Sequence, residues 1–149
     1  MVINEKSTLY RMMKTDLFHR PALPTSNTSR DCLGVRYKHI DRKNEYRIKV
    51  DVYIDSNGMV AIKNQGMSLT IPPKTNIPTF MLDPVRKLVR FAISRSNFDQ
   101  NEHLMCIDNG KDHAMLVPRY KMHIDDFNQY LADTAPLWEV DDDDHKDKN

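Results

Sequence analysis

Arg47-Ile48-Lys49-Val50-Asp51-Val52-Tyr53-Ile54-Asp55-Ser56-Asn57-Gly58-Met59-Val60-Ala61-Ile62 is the stretch from which the fold follows. Polar and apolar residues alternate from Arg47 to the end of the first run, the period of a strand with one buried face. Asn57-Gly58 then supplies the strongest short hairpin signal, because a tight hairpin turn needs residues that tolerate positive φ. Met59–Ile62 reads as the return strand. Past the polar turn at Lys63–Gly66, Met67–Ile71 reads as another strand, closed by Pro72-Pro73.

Working outward, Thr8–Met13 is a first strand without breakers, and residues 21–34 are loop, marked by Pro21, Pro24 and Gly34. Asp83-Pro84 has the form of a helix start, with Val85, Leu88, Val89 and Ala92 on one helical face, yet Leu88–Ile93 reads equally as a strand. Leu104–Ile107 and His113–Val117 form a strand pair around a second Asn-Gly turn at Asn109-Gly110. Ile124, Phe127, Tyr130, Leu131 and Thr134 mark an amphipathic helix packed on the sheet. The expected architecture is one compact, strand-rich α+β domain over residues 1–140, a mixed sheet with few helices. Residues 141–149 read as an acidic, solvated and disordered tail.

Composition excludes several classes. The 149 residues are 40% hydrophobic and 29% charged, an ordinary globular balance. The net charge of +1 argues against a stable nucleic-acid partner, although the tail alone carries −3 and so leaves +4 on residues 1–140. That mildly basic body suits an anionic ligand or an acidic partner. No apolar run reaches the length of a membrane helix, and the first residues lack the apolar core of a signal peptide, so a cytoplasmic chain is expected unless a dedicated machine exports it. Cys32 and Cys106 are far apart and read as reduced thiols, with a catalytic thiol at Cys106 the lesser reading.

Motifs narrow the chemistry further. The glycine-rich phosphate loops and the His-Glu-x-x-His zinc motif are absent, and the six histidines show no ligand spacing, so no metal site is expected. Arg11 places a permanent charge in an apolar strand, where burial is costly. It either reaches solvent or a carboxylate, or is held at a cleft to grip a phosphate through two parallel hydrogen bonds. Arg36, after Gly34-Val35, carries the same two readings. Ser68 lacks the strand–elbow pattern of a hydrolase nucleophile and is better read as a hydrogen-bonding scaffold at a cleft. His113 opens a strand and is either a packed histidine or part of that cleft.

The Leu9-Tyr10-Arg11 strand resembles the opening strand of ADP-ribosyltransferase toxins. The ordered series Gly34-Val35-Arg36, Asp51-Val52, Gly58, Val60, Gly66-Met67-Ser68-Leu69, Ile77-Pro78, His113-Ala114, Pro118, Met122, Phe127, Leu131, Thr134 and Trp138 resembles one family over roughly residues 7–138. It is the type VI secretion exported effector two-like toxin family, with an ADP-ribosyltransferase-like fold. The resemblance implies a toxin domain that uses NAD as substrate, exported to a target-cell cytoplasm where it modifies an unidentified molecule. It also implies a cognate immunity protein in the producer. Arg11, Ser68 and His113 take the catalytic positions, while Tyr10, Arg36, Gly66 and Met67 take cofactor-binding ones. The chain departs from the pattern in having Gln65-Gly66 where paired glycines are common. It also lacks an evident late glutamate, its glutamates being Glu5, Glu45, Glu102 and Glu139. A non-catalytic protein-binding module that retains the fold is the alternative.

Overall fold

The computed structural model describes residues 7–15, 32–40, 50–60 and 65–141. Strand β1 (Thr8–Met13) is buried along its whole length, Arg11 included, with apolar Leu9, Tyr10, Met12 and Met13 supplying most of the buried surface. It pairs antiparallel with β4 (Met67–Thr70) on one side and with β5 (Val89–Ser94) on the other. Next to β4 lies the hairpin of β6 (Leu104–Asp108) and β7 (His113–Pro118), and β8 (Glu139–Val140) closes the far edge. The sheet order is β6-β7-β4-β1-β5-β8, with every pairing antiparallel. A separate parallel pair joins β2 (Tyr37–His39) to β3 (Val52–Ile54).

The α+β class expected from sequence is therefore present, but the sheet is not mixed. Among the described residues parallel pairing is confined to β2 and β3, which are separated by about a dozen residues, the least such a crossover allows. Of the expected hairpin at Asn57-Gly58, the turn and the first half of the return strand, Met59 and Val60, are described. Gly58 has a φ of 78°, and Asp55 accepts at Oδ1 from the amides of Asn57 and Met59, so the turn itself forms. In the described part of the return strand Val60 bridges Ile54 and the Met59 carbonyl accepts from the Asp55 amide, while Met59 also bridges His123 and the Val60 amide donates to the Met122 carbonyl. Arg47–Lys49 and Ala61–Ile62 lie outside the described residues, as does most of the loop at 21–34. The end of that loop is core: Cys32, Leu33 and Val35 are buried.

Of the two readings of residues 85–93 the strand is the one observed, and the helix start at Asp83-Pro84 goes no further than a single turn. Pro84–Arg86 is one 3-10 turn, with the Asp83 side chain accepting from the Val85 amide and Lys87 stopping it at a φ of 55°. The strand β5 then begins. Helix α1 (Ile124–Ala132) is capped by His123 and turns Ile124, Phe127, Asn128 and Leu131 inward. Its Asp125 and Asp126 sit in the first turn, where the helix dipole favours negative charge. The main core lies between this helix, residues 33–35 and one face of the sheet. Among the described residues no helix is long and apolar enough to cross a membrane.

Candidate functional site

The sheet has a seam. Strands β1 and β5 are in register from Thr8↔Ser94 to Met13↔Val89, and β4 pairs with β7 from Met67↔Leu116 to Thr70↔His113. Between β1 and β4 there is one register pair, Tyr10↔Thr70. Beyond it the strands part, and the Arg11 side chain crosses the gap. Its Nη1 donates to the Ser68 carbonyl at 2.7 Å and its Nε to the Cys32 carbonyl at 3.1 Å. A guanidinium thus serves main-chain acceptors where the ladder has ended, which satisfies groups that burial would otherwise penalise.

A cleft of about 280 Å³ opens at this seam. Strand alternation puts Tyr10, Met12, Ser68, Thr70 and His113 of its lining on one face of the sheet, while Arg11 and Leu69, of the other face, line it as well. Arg36 and Asp51 enter from the ends of the parallel pair. The Arg36 amide donates to Asp51 Oδ2 at 2.8 Å, and its Nε and Nη2 each lie 3.4 Å from the carboxylate. The outer wall is a ridge of successive 3-10 turns over residues 74–86, which contributes Asn76, Pro78, Phe80 and Met81. Phe80 is 46% exposed, and the Arg86 guanidinium lies 5.0 Å from its ring centre.

Five of the seven residues singled out from sequence line this cleft: Tyr10, Arg11, Arg36, Ser68 and His113. The other two do not. Met67 is fully buried in the core opposite Leu116. Gly66 is buried against β7, where a Cβ would lie 1.9 Å from the Leu116 carbonyl oxygen, so its missing side chain serves strand packing. Met67 is the strand neighbour of Ser68 and so faces the opposite side of the sheet, while Gly66 precedes the strand and is shut in by the β7 main chain. Sequence reasoning missed Asp51, Asn76 and Asp112 as cleft residues. Asp51 stood in plain view as the polar member of an alternating run.

Chemically the cleft joins a polar end to an apolar one. Arg11, Arg36, Asp51 and the exposed Ser68 offer donors and acceptors, while Tyr10, Met12, Phe80 and Met81 offer flat or flexible apolar surface. No glutamate lines it among the described residues, and Asp51 and Asp112 are its carboxylates. The Cys106 thiol lies elsewhere, on the edge strand β6, and burial pushes its pKa up despite the nearby Arg95 guanidinium, which binds Asp108. A thiolate nucleophile is disfavoured there. Among the described residues no group of three or more His, Cys, Asp or Glu is placed to hold a metal. Compared with known protein families and with characterised proteins, the chain matches none.

Proposed function

We propose that the chain is a small toxin domain with an ADP-ribosyltransferase-like fold whose cleft binds NAD and transfers its ADP-ribosyl group. In this reading it is exported to a target-cell cytoplasm, arrests growth there, and is neutralised in the producer by a cognate immunity protein. The observation that carries the reading is the convergence of Tyr10, Arg11, Arg36, Ser68 and His113 on one cleft from four separate segments. The seam between the two halves of the sheet supports it, since it opens a ligand-sized groove without disturbing the core.

Each residue then has a task. Arg11 and Arg36 supply guanidinium groups to the diphosphate of NAD, with geometry suited to paired hydrogen bonds. The Ser68 hydroxyl, exposed on the cleft face, and Tyr10 border the nicotinamide ribose. Reaction breaks the bond between the ribose anomeric carbon and the nicotinamide nitrogen, and the electron pair leaves with nicotinamide. An acceptor's lone pair then forms the new bond to that carbon, and the acceptor loses its proton to a base, for which His113 lies in the cleft. Negative charge beside the developing ribosyl cation lowers the barrier.

The test uses the purified full chain with radiolabelled NAD, alongside induced expression and growth. Wild type is expected to arrest growth and transfer label, and Ser68→Ala and His113→Ala to lose both while keeping the native circular dichroism spectrum. Arg11→Lys serves in place of alanine, because it keeps a charge in a buried position. A folded wild type that neither binds NAD nor slows growth overturns the reading.

One set of contacts favours the second reading, a non-catalytic binding module. The Arg36 guanidinium is held by Asp51 and the Arg11 guanidinium by two carbonyls, so both arginines already have structural partners in the absence of a diphosphate. Harmless expression together with a tight protein partner would establish that alternative.

A further inference from the structure

The ridge that walls the cleft has its two ends held by one carboxylate. Asp141 Oδ2 lies 3.4 Å from Lys74 Nζ, at the ridge's start, and 3.4 Å from Arg90 Nε, in β5 just past its end. The Asp141 amide also donates to the Arg90 carbonyl at 2.8 Å, which extends the β5–β8 ladder beyond Phe91↔Val140. All three side chains are sheltered, Asp141 at 13% and Arg90 at 14% exposure and Lys74 at 32%. Ion pairs in such partial shelter are less screened than surface ones.

Between those ends the ridge is tied back by Asn76, whose Nδ2 donates to the Ile71 carbonyl at 2.9 Å, and by buried Ile77. Its internal hydrogen bonds are single turns, Asn76 to Pro73, Ile77 to Lys74, Met81 to Pro78, Asp83 to Phe80, Arg86 to Asp83 and Lys87 to Pro84, with the Asp83 side chain accepting from the Val85 amide. Of its residues only Ile77 is buried, with Met81 and Leu88 partly so against Tyr10 and Met12, while Leu82 and Val85 are exposed. A short loop of this kind takes its position from its anchors.

We infer that Asp141 is a positioning residue for the cleft: it clasps Lys74 to Arg90 and so sets where Pro78, Phe80 and Met81 stand over the ligand groove. Asp141 never touches the cleft itself. The first residue of the acidic run is therefore part of the folded domain in function as well as in contact, and the proposal holds whatever the cleft binds.

Hydrogen exchange followed residue by residue on the full chain tests it. Asp141→Asn is expected to speed exchange of the Asn76, Ile77 and Met81 amides about tenfold while leaving the Asn109 amide of the β6–β7 hairpin unchanged. Asp141→Glu, which keeps the charge, is expected to restore the wild-type rates to within about threefold. Lys74→Gln, at a partly exposed position, is expected to reproduce the acceleration from the other end of the clasp and decides the matter should Asp141→Asn fail to fold. Unchanged ridge exchange in Lys74→Gln and Asp141→Asn, or equal acceleration at Asn109, overturns the proposal.

Discussion

The two faces of the six-stranded sheet are packed very differently. One face joins Leu9, Met13, Met67, Leu69 and Leu116 to Phe127 and Leu131 of helix α1 in a continuous core. The other buries Tyr10, Met12 and Ile77, with Met81, Leu88 and Ala92 partly covered beside them. The same strands supply both sets through simple alternation, yet a helix closes the first face and loose 3-10 turns close the second. Folding free energy is concentrated on the helix side. The other side is free to carry a groove and a polar cluster, because the fold does not depend on filling it.

The largest expected effect tests that contrast directly. Phe127→Ala, at a fully buried core position, should cost about 4 kcal/mol in denaturant unfolding, against about 2 kcal/mol for Met12→Ala on the cleft side. Equal costs would break the comparison. Gly66→Ala should cost about 3 kcal/mol, since the new methyl meets a main-chain oxygen in a strand pair that has to move as a unit. Asn128→Ala should cost about 2 kcal/mol. Its side chain accepts from the Val35 amide at 2.8 Å and donates to the Val35 carbonyl, so the loss strands two buried main-chain groups. Phe80→Ala, on the exposed ridge, should shift stability by no more than about 0.5 kcal/mol while altering ligand affinity in the cleft. A large stability loss there would show that the ridge is core after all.

The smallest effect concerns the turn between β3 and the core. Hydrogen bonds from the Met59 and Asn57 amides, with Lys121 and His123 nearby, hold the Asp55 carboxyl below its usual range against a modest cost of desolvation. A lowered folded pKa means that the ionised carboxylate stabilises the fold above the unfolded value and that this contribution disappears as pH falls through the folded one. Asp55→Asn should therefore melt below wild type at about pH 6, with the gap closing in acid below the unfolded carboxylate pKa. A gap that widens in acid would contradict the sign.

Much of the strand side of this molecule was readable from residues alone. Thr8–Met13 has no breaker, Met67–Thr70 ends at prolines, and Asn109-Gly110 marks the β6–β7 turn, where Gly110 takes a φ of 108°. The parallel pair was not readable. Tyr37-Lys38-His39 has no alternation, and its partner Val52–Ile54 sits inside a run that predicts an antiparallel hairpin instead. Residue type found Tyr10, Arg11, Arg36, Ser68 and His113 of the cleft, but not the wall at residues 76–81, whose Pro78, Phe80 and Met81 carry no polar or charged signal. Period decided the errors, placing Met67 in the core one step from Ser68. Asn128 could have been found too: it shares a helical face with Ile124, Phe127 and Leu131, and a polar group on an apolar face asks for a buried partner.

The order in which the strands meet has a consequence for synthesis. Of the six strands in this sheet β1 is made before the others, yet it ends in the middle of the sheet, and its neighbours β4 and β5 are made some sixty to eighty residues later, as Tyr10↔Thr70 and Tyr10↔Ala92 record. An apolar segment with both ladder edges open must wait through that interval, the condition under which nascent chains aggregate or recruit chaperones. Long-range closure of this kind also slows folding. Production in quantity is thus expected to depend on translation speed and temperature more than on the stability of the finished domain.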